Sequence, residues 1–182
     1  MSGIRPKKHY WDACIYIAYL KGEQSHGPPY VDSIAQIAKD NFEQKNVIIT
    51  SVITLTEVLS SKLTPEEEES FLKTFKRVNH ILYDVDYAIA TKARKFRESF
   101  LSHSSGKTLA TPDAIHLATA AILQADELNT FDDGQKERKF LGLLELTGHP
   151  AIENLVICKP FIPPPPPPDQ AVMELRGIEP AS

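Results

Sequence analysis

Asn46-Val47-Ile48-Ile49-Thr50-Ser51 is a β-branched run with polar side chains only toward its ends. Such a run suits a strand buried on both faces, the environment of a parallel sheet rather than of an antiparallel sheet with one wet side. The chain keeps alternating in both directions from it. Upstream, Val31 to Gln44 sets Ile34, Ile37, Ala38 and Phe42 at helical spacing. Before that, His9 to Ala13 reads as a strand that runs into a helix through Ile15, Ile17, Ala18 and Leu20, ended by the turn cluster Gly22 to Pro29. Downstream, Thr54 to Ser61 is a short helix. The next helix starts at Thr64, with Thr64 as N-cap, Pro65 at N1 and Glu67 at the capping-box position; its apolar face is Phe71, Leu72 and Phe75. Val78 to Val85 supplies a third strand. Asp86 to His103 is an amphipathic helix with the stripe Ile89, Ala93, Phe96 and Phe100. Thr111-Pro112 opens a helix to about Gln124, Glu127 to Phe131 is a fourth strand, Gly134 to Leu146 a further helix and Asn154 to Cys158 the last strand. Strands alternating with helices imply an open sheet covered on both faces, with function gathered at the strands' carboxyl ends.

With 182 residues, 42% of them hydrophobic, the chain fits one domain with a substantial core. That domain is expected over residues 1–162. Residues 163–182 read as a tail, because Pro163 to Pro168 favours extended polyproline II and Asp169 to Ser182 has too few apolar residues for a core of its own. Asp12 interrupts the apolar run after Arg5, Lys7 and Lys8, which is too short for a bilayer span or a signal, so a soluble cytoplasmic protein without membrane attachment is expected. Cys14 and Cys158 sit in apolar segments without metal-ligand spacing and read as reduced core residues. A net charge of -4 argues against a general nucleic-acid binder. Lys92, Arg94, Lys95 and Arg97, with Lys107 beyond, nonetheless form a basic stretch suited to RNA contact, or simply a solvated helix face.

Asp12, Glu57, Asp113 and Asp132 each stand where a helix begins or a strand ends, in stretches that otherwise read as apolar core. Like charges gathered from distant points of a chain repel and must be desolvated, so a fold tolerates them mainly when a cation such as Mg²⁺ or Mn²⁺ neutralises them. The chemistry implied is phosphodiester hydrolysis. Each acid also has a plainer reading. Asp12 is placed to cap the helix after it, Glu57 to face solvent, and Asp113 to favour a helix dipole by less than about 1 kcal/mol. Capping alone does not account for acids recurring at similar positions in four segments. At the last position Asp132 competes with Asp133, which beside Gly134 has the composition of a turn. Thr130 suits either a bond to these carboxylates or simple strand packing. His116, one turn after Asp113, is set outside the ligands because hard cations prefer oxygen.

Four segments, Tyr10-Trp-Asp12-Ala-Cys-Ile15, Ser51-Val-Ile-Thr-Leu-Thr-Glu57-Val-Leu59, Thr111-Pro-Asp113-Ala-Ile-His-Leu-Ala-Thr-Ala120 and Asn129-Thr-Phe-Asp132-Asp-Gly134, carry a resemblance. In that order they resemble the PIN-domain ribonucleases, and among them the VapC-type toxins, over about Tyr10 to Cys158. The resemblance implies a PIN-like three-layer α/β/α sandwich with a mainly parallel central sheet of about five strands. It also implies one or two Mg²⁺ or Mn²⁺ ions held by Asp12, Glu57, Asp113 and Asp132, which position a water, lower its pKa and stabilise charge on the scissile phosphate without a covalent nucleophile. The family's habit of a Thr two residues before the last acid selects Asp132, through Thr130-Phe-Asp132, and leaves Thr130, Asp133 and His116 as supports. RNA as substrate, a homodimer and a protein antitoxin that sets a basic side chain among the acids are implied in the same way; an Arg fork suits carboxylates. Trp11 and Cys14 depart from the pattern, the family more often having Leu or Val and Asn there. Two other readings stand beside this one: a PIN-like module that binds RNA or protein without cutting, and an RNA-processing nuclease outside toxin–antitoxin pairs. A phosphatase of the haloacid-dehalogenase type needs a second Asp where Cys14 stands.

Overall fold

The computed structural model describes residues 5–135, 139–152 and 154–163. Its elements are β1 (Lys7–Trp11), α1 (Ala13–Lys21), α2 (Pro28–Phe42), β2 (Asn46–Ser51), α3 (Ile53–Leu59), α4 (Pro65–Thr74), β3 (His80–Tyr83), α5 (Tyr87–Ser99), α6 (Thr111–Ile122), β4 (Glu127–Asn129) and β5 (Val156–Cys158), with 3-10 turns at Gln24–His26, Leu143–Leu146 and Pro150–Ile152. All strand pairs are parallel, in the order β3-β2-β1-β4-β5. The chain builds β1, β2 and β3 outward in one direction, then crosses back to lay β4 and β5 on the other side of β1. The switch point therefore falls between the carboxyl ends of β1 and β4, where open α/β sheets form their ligand crevice.

Two hydrophobic cores pack against opposite faces of the sheet. One gathers Ile15, Tyr16, Ile34, Ile37, Val58 and Phe71 from α1 to α4 around Trp11 and Ile48. The other gathers Ile89, Phe96, Phe100, Ala114 and Leu117 from α5 and α6 around Tyr10, Ile49 and Leu128. The alternate residues Tyr10 and Trp11 thus point to different cores, as strand geometry requires. Each fully buried aliphatic or aromatic side chain contributes roughly 1.5–3 kcal/mol. The result is the expected three-layer α/β/α sandwich. No helix among the described residues is long and apolar enough to cross a membrane.

Element boundaries differ from the sequence expectations at several places. β1 ends at Trp11 and Ala13 already opens α1, because Asp12 takes the capping position between them. Val78 lies outside β3 and is 96% exposed, and β4 stops at Asn129. The helix expected over Gly134 to Leu146 is not formed in its described part: Phe140 bridges in parallel to Thr108, and only the short turn Leu143–Leu146 is helical. Two contacts explain this. The Asp132 carboxylate accepts from the Gly134 amide (3.1 Å) and the Leu143 amide (2.9 Å), closing the segment into a loop. Gly142 then packs so tightly that a Cβ there would lie 2.1 Å from the Gly134 nitrogen. The tail beyond Pro163 lies outside the described residues.

Candidate active site

Asp12 sits immediately after β1, beside the switch point, and is only 5% exposed. It caps α1, accepting from the Ile15 amide at 3.3 Å, so the plainer capping reading is correct as far as it goes. Capping occupies only part of the carboxylate. Oδ1 also receives the Cys14 thiol at 2.8 Å, and Oδ2 receives the Thr130 hydroxyl at 2.5 Å. Burial raises the Asp12 pKa, against the charge of His116 and the donated bonds of Cys14, Thr130 and Ile15.

Asp132 stands two residues beyond Thr130, past the end of β4, half-buried. Its amide donates to Thr130 Oγ1 at 3.0 Å while that hydroxyl donates to Asp12, so Thr130 links the two strand-end acids directly. Asp133 is exposed and accepts from the Gln135 amide at 3.1 Å, the turn role its neighbour Gly134 suggested. Asp113 lies in the first turn of α6. Burial and then the charge of Asp132 push its pKa up to about 7; His116 opposes this, and Asp12 and Glu57 add to it. The four acids therefore share one electrostatic field. Among the described residues, however, no three His, Cys, Asp or Glu side chains stand close enough to clasp one ion together.

Glu57, on α3, reaches back toward α6 rather than into solvent. Its Oε2 lies 2.9 Å from His116 Nε2, which must carry the proton because a carboxylate only accepts. His116 Nδ1 is bonded to the Tyr10 hydroxyl at 2.7 Å, and that hydroxyl accepts from the Ser51 amide at 3.1 Å. Burial alone would lower the His116 pKa, but the bond and charge of Glu57 and the charges of Asp12 and Asp113 override it and raise the value. A second buried pair provides the contrast. His80 Nε2 meets the Tyr16 hydroxyl at 2.7 Å, yet burial, aided by Arg77, pushes its pKa down to about 3. The difference between these two Tyr–His pairs is the acidic field around His116.

The PIN domain family model matches residues 10–141. The chain belongs to the PIN-domain family. Two solved structures share the fold. One is a chain of a toxin–antitoxin complex from Klebsiella pneumoniae, 19% identical at a TM-score of 0.53, covering 84% of this chain and 98% of that one. The other is a chain of VapBC2 from Rickettsia felis bound to a DNA fragment from their promoter, 18% identical at a TM-score of 0.54, covering 82% and 96%. No curated protein matches.

Within this PIN domain the half-buried Cys14 takes a role the sequence did not reveal. Besides donating to Asp12, its sulfur accepts from the Phe131 amide at 3.0 Å. Burial and the charge of Asp12 hold its pKa well above the usual thiol range, so it stays a donor. A thiol thus takes a polar position beside the acid. The basic side chains of α5 make contacts of their own, Arg94 and Arg97 remaining exposed. Arg94 pairs with Glu98 at 2.5 Å, Arg97 Nε donates to the Leu109 carbonyl at 3.3 Å, and Lys92 lies 5.0 Å from the Phe96 ring centre. Lys107 donates to the Gly134 carbonyl at 3.2 Å and approaches Glu145 at 3.4 Å, which braces the loop carrying Asp132. Lys95 is exposed on the same helix.

Proposed function

We propose that this PIN domain is a divalent-metal-dependent endoribonuclease, the toxin of a toxin–antitoxin pair, with Asp12, Glu57, Asp113 and Asp132 as its ligand set. The observation that carries the reading is the joining of Asp12 and Asp132 through Thr130 at the switch point of the sheet, beside an Asp113 whose pKa is pushed up to about 7 by burial first and then by the charges of Asp132, Asp12 and Glu57, against His116. Oxygen donors that repel one another are the donor chemistry of a hard cation. A bound Mg²⁺ or Mn²⁺ would supply an activated water and offset charge on the scissile phosphate.

The chain's own residues prepare the site. Thr130, Cys14 and the Ile15 amide fix the Asp12 carboxylate. His116, held by Tyr10, aims Glu57, and the amides of Gly134 and Leu143 orient Asp132. RNA is the proposed substrate, and a homodimer inhibited by an antitoxin that places a basic side chain among the acids is the proposed assembly. The neighbour described as a toxin–antitoxin complex supports an antitoxin partner; the homodimer and the inserted basic side chain rest on the family resemblance alone.

A second reading, a non-cutting PIN-like module, draws on the same contacts: Glu57 and Asp132 already have partners inside the protein. Calorimetric titration of the purified protein with Mn²⁺, followed by RNA incubation with and without the metal, separates the two. Binding at millimolar concentration or below with metal-dependent cleavage supports the nuclease; absence of both leaves the binding module.

A further inference from the structure

A cleft of about 540 Å³ opens beside Asp132, walled by His26, Glu23, Ser25, Phe131, Lys159 and the start of α1 at Cys14 and Ile17. Phe131 directly precedes Asp132, so the cleft begins where the acids end. The His26 ring lies flat on Phe131, with 3.7 Å between centroids and 3° between planes. Tyr30 braces Phe131 edge-on at 6.1 Å, and Lys159 Nζ lies 5.4 Å from the Tyr30 ring centre. His26 keeps 30% of its side chain exposed, with Nε2 3.4 Å from Glu23 Oε2. The cleft thus combines a braced, flat π-platform, one cation, and donors and acceptors at its edge. Glu23, Asp132 and Asp133 line it too, which disfavours a small bare anion. An uncharged ring that stacks, joined to a phosphate that reaches the cation, matches all of these features. An apolar peptide matches less well, since Ile17 and Phe131 are the main apolar walls.

We propose that this cleft is a nucleotide subsite for single-stranded RNA, in which one base stacks on the His26–Phe131 platform and its phosphate meets Lys159. The proposal rests on the ribonuclease reading for its substrate class and adds the position of a base adjoining the site of cleavage. His26 and Lys159 act in binding, not in the chemical step.

The probe is a fluorescein-labelled adenosine octaribonucleotide, followed by anisotropy in EDTA and checked intact on a gel afterwards. The full-length protein is compared with His26→Ala, His26→Phe and Lys159→Ala, each shown by circular dichroism to keep the parent fold. His26→Ala should weaken binding by at least about fivefold, while His26→Phe, which retains a π-face, stays within about twofold of the parent. Lys159→Ala should weaken binding and reduce the salt slope by about one. Failure of the parent to bind, an unchanged affinity in His26→Ala, or a His26→Phe variant no better than His26→Ala overturns the subsite. The outcomes also separate this inference from the reading beneath it. Metal-dependent cleavage by a parent protein whose binding ignores His26 removes the subsite alone, whereas His26-dependent binding without cleavage under Mg²⁺ or Mn²⁺ removes the nuclease alone.

Discussion

Thr130 Oγ1 donates to Asp12 Oδ2 at 2.5 Å while accepting from the Asp132 amide at 3.0 Å. One hydroxyl therefore ties the carboxyl ends of β1 and β4 together across the switch point. A hydrogen bond to a charged group contributes about 1.5–3 kcal/mol, and a buried carboxylate deprived of its donor is costlier still. Thr130→Val, which keeps the shape, should accordingly lower unfolding stability by about 1–3 kcal/mol and raise the Asp12 pKa further. Urea denaturation checks this, as a lower midpoint at unchanged slope. An unaltered midpoint would mean that Asp12 does not depend on this bond.

Cys14 gives a graded test. Cys14→Ser keeps a donor for Asp12 and an acceptor for the Phe131 amide, so it should cost less than about 1 kcal/mol. Cys14→Ala removes both and should cost about 1–3 kcal/mol. Equal stability of the two variants would reduce the thiol to a packing residue.

Gly142 faces the Gly134 backbone so closely that an added methyl would stand 2.1 Å from its nitrogen. Gly142→Ala should therefore displace the loop that the Asp132 carboxylate closes. The expected cost is about 1–3 kcal/mol, as for other overpacked sites, with a loss of metal affinity because Asp132 moves with its loop. Differential scanning calorimetry and Mn²⁺ titration read the two effects separately.

The pH dependence follows from Asp113. Its pKa rises from the ordinary 3.8 to about 7, so between these values the folded protein holds a proton that the unfolded chain has released. Stability then falls as pH increases through that window. His116, also raised, acts in the same direction. His80, depressed to about 3, acts in the opposite direction up to its ordinary 6.5, so the Asp113 contribution is read by difference: relative to the parent, metal-free Asp113→Asn should gain melting temperature as pH rises from 5 to 7.5, and so be the more stable of the two at neutral pH. A slope unchanged in the Asn variant would show that Asp113 is not the group being strained.

The central strand, the helical stripes and the caps at Thr64 and Asp12 were legible in sequence because each rests on local periodicity or a side-chain bond within one turn. Asp12, Glu57, Asp113 and Asp132 were legible as acids in apolar surroundings. The segment after Asp132 was not: a helix was expected over Gly134 to Leu146, and what prevents one in the described residues is a contact between two glycines and a carboxylate reaching forward 11 residues to the Leu143 amide. The support of Glu57 by His116 and Tyr10 was equally hidden, since it joins positions 59 and 106 residues apart. A parallel sheet brings such pairs together only after its crossovers have closed.

The most direct test of the metal-dependent nuclease is cleavage of RNA by the purified protein in Mg²⁺ or Mn²⁺, set against EDTA and against Asp113→Asn. Metal-dependent cleavage that the Asn variant loses by a factor of about a hundred or more, with its fold intact, is the expected result, since one ligand charge of a metal site is removed. Cleavage by Asp113→Asn at the parent rate, or none by the parent in either metal, would contradict it.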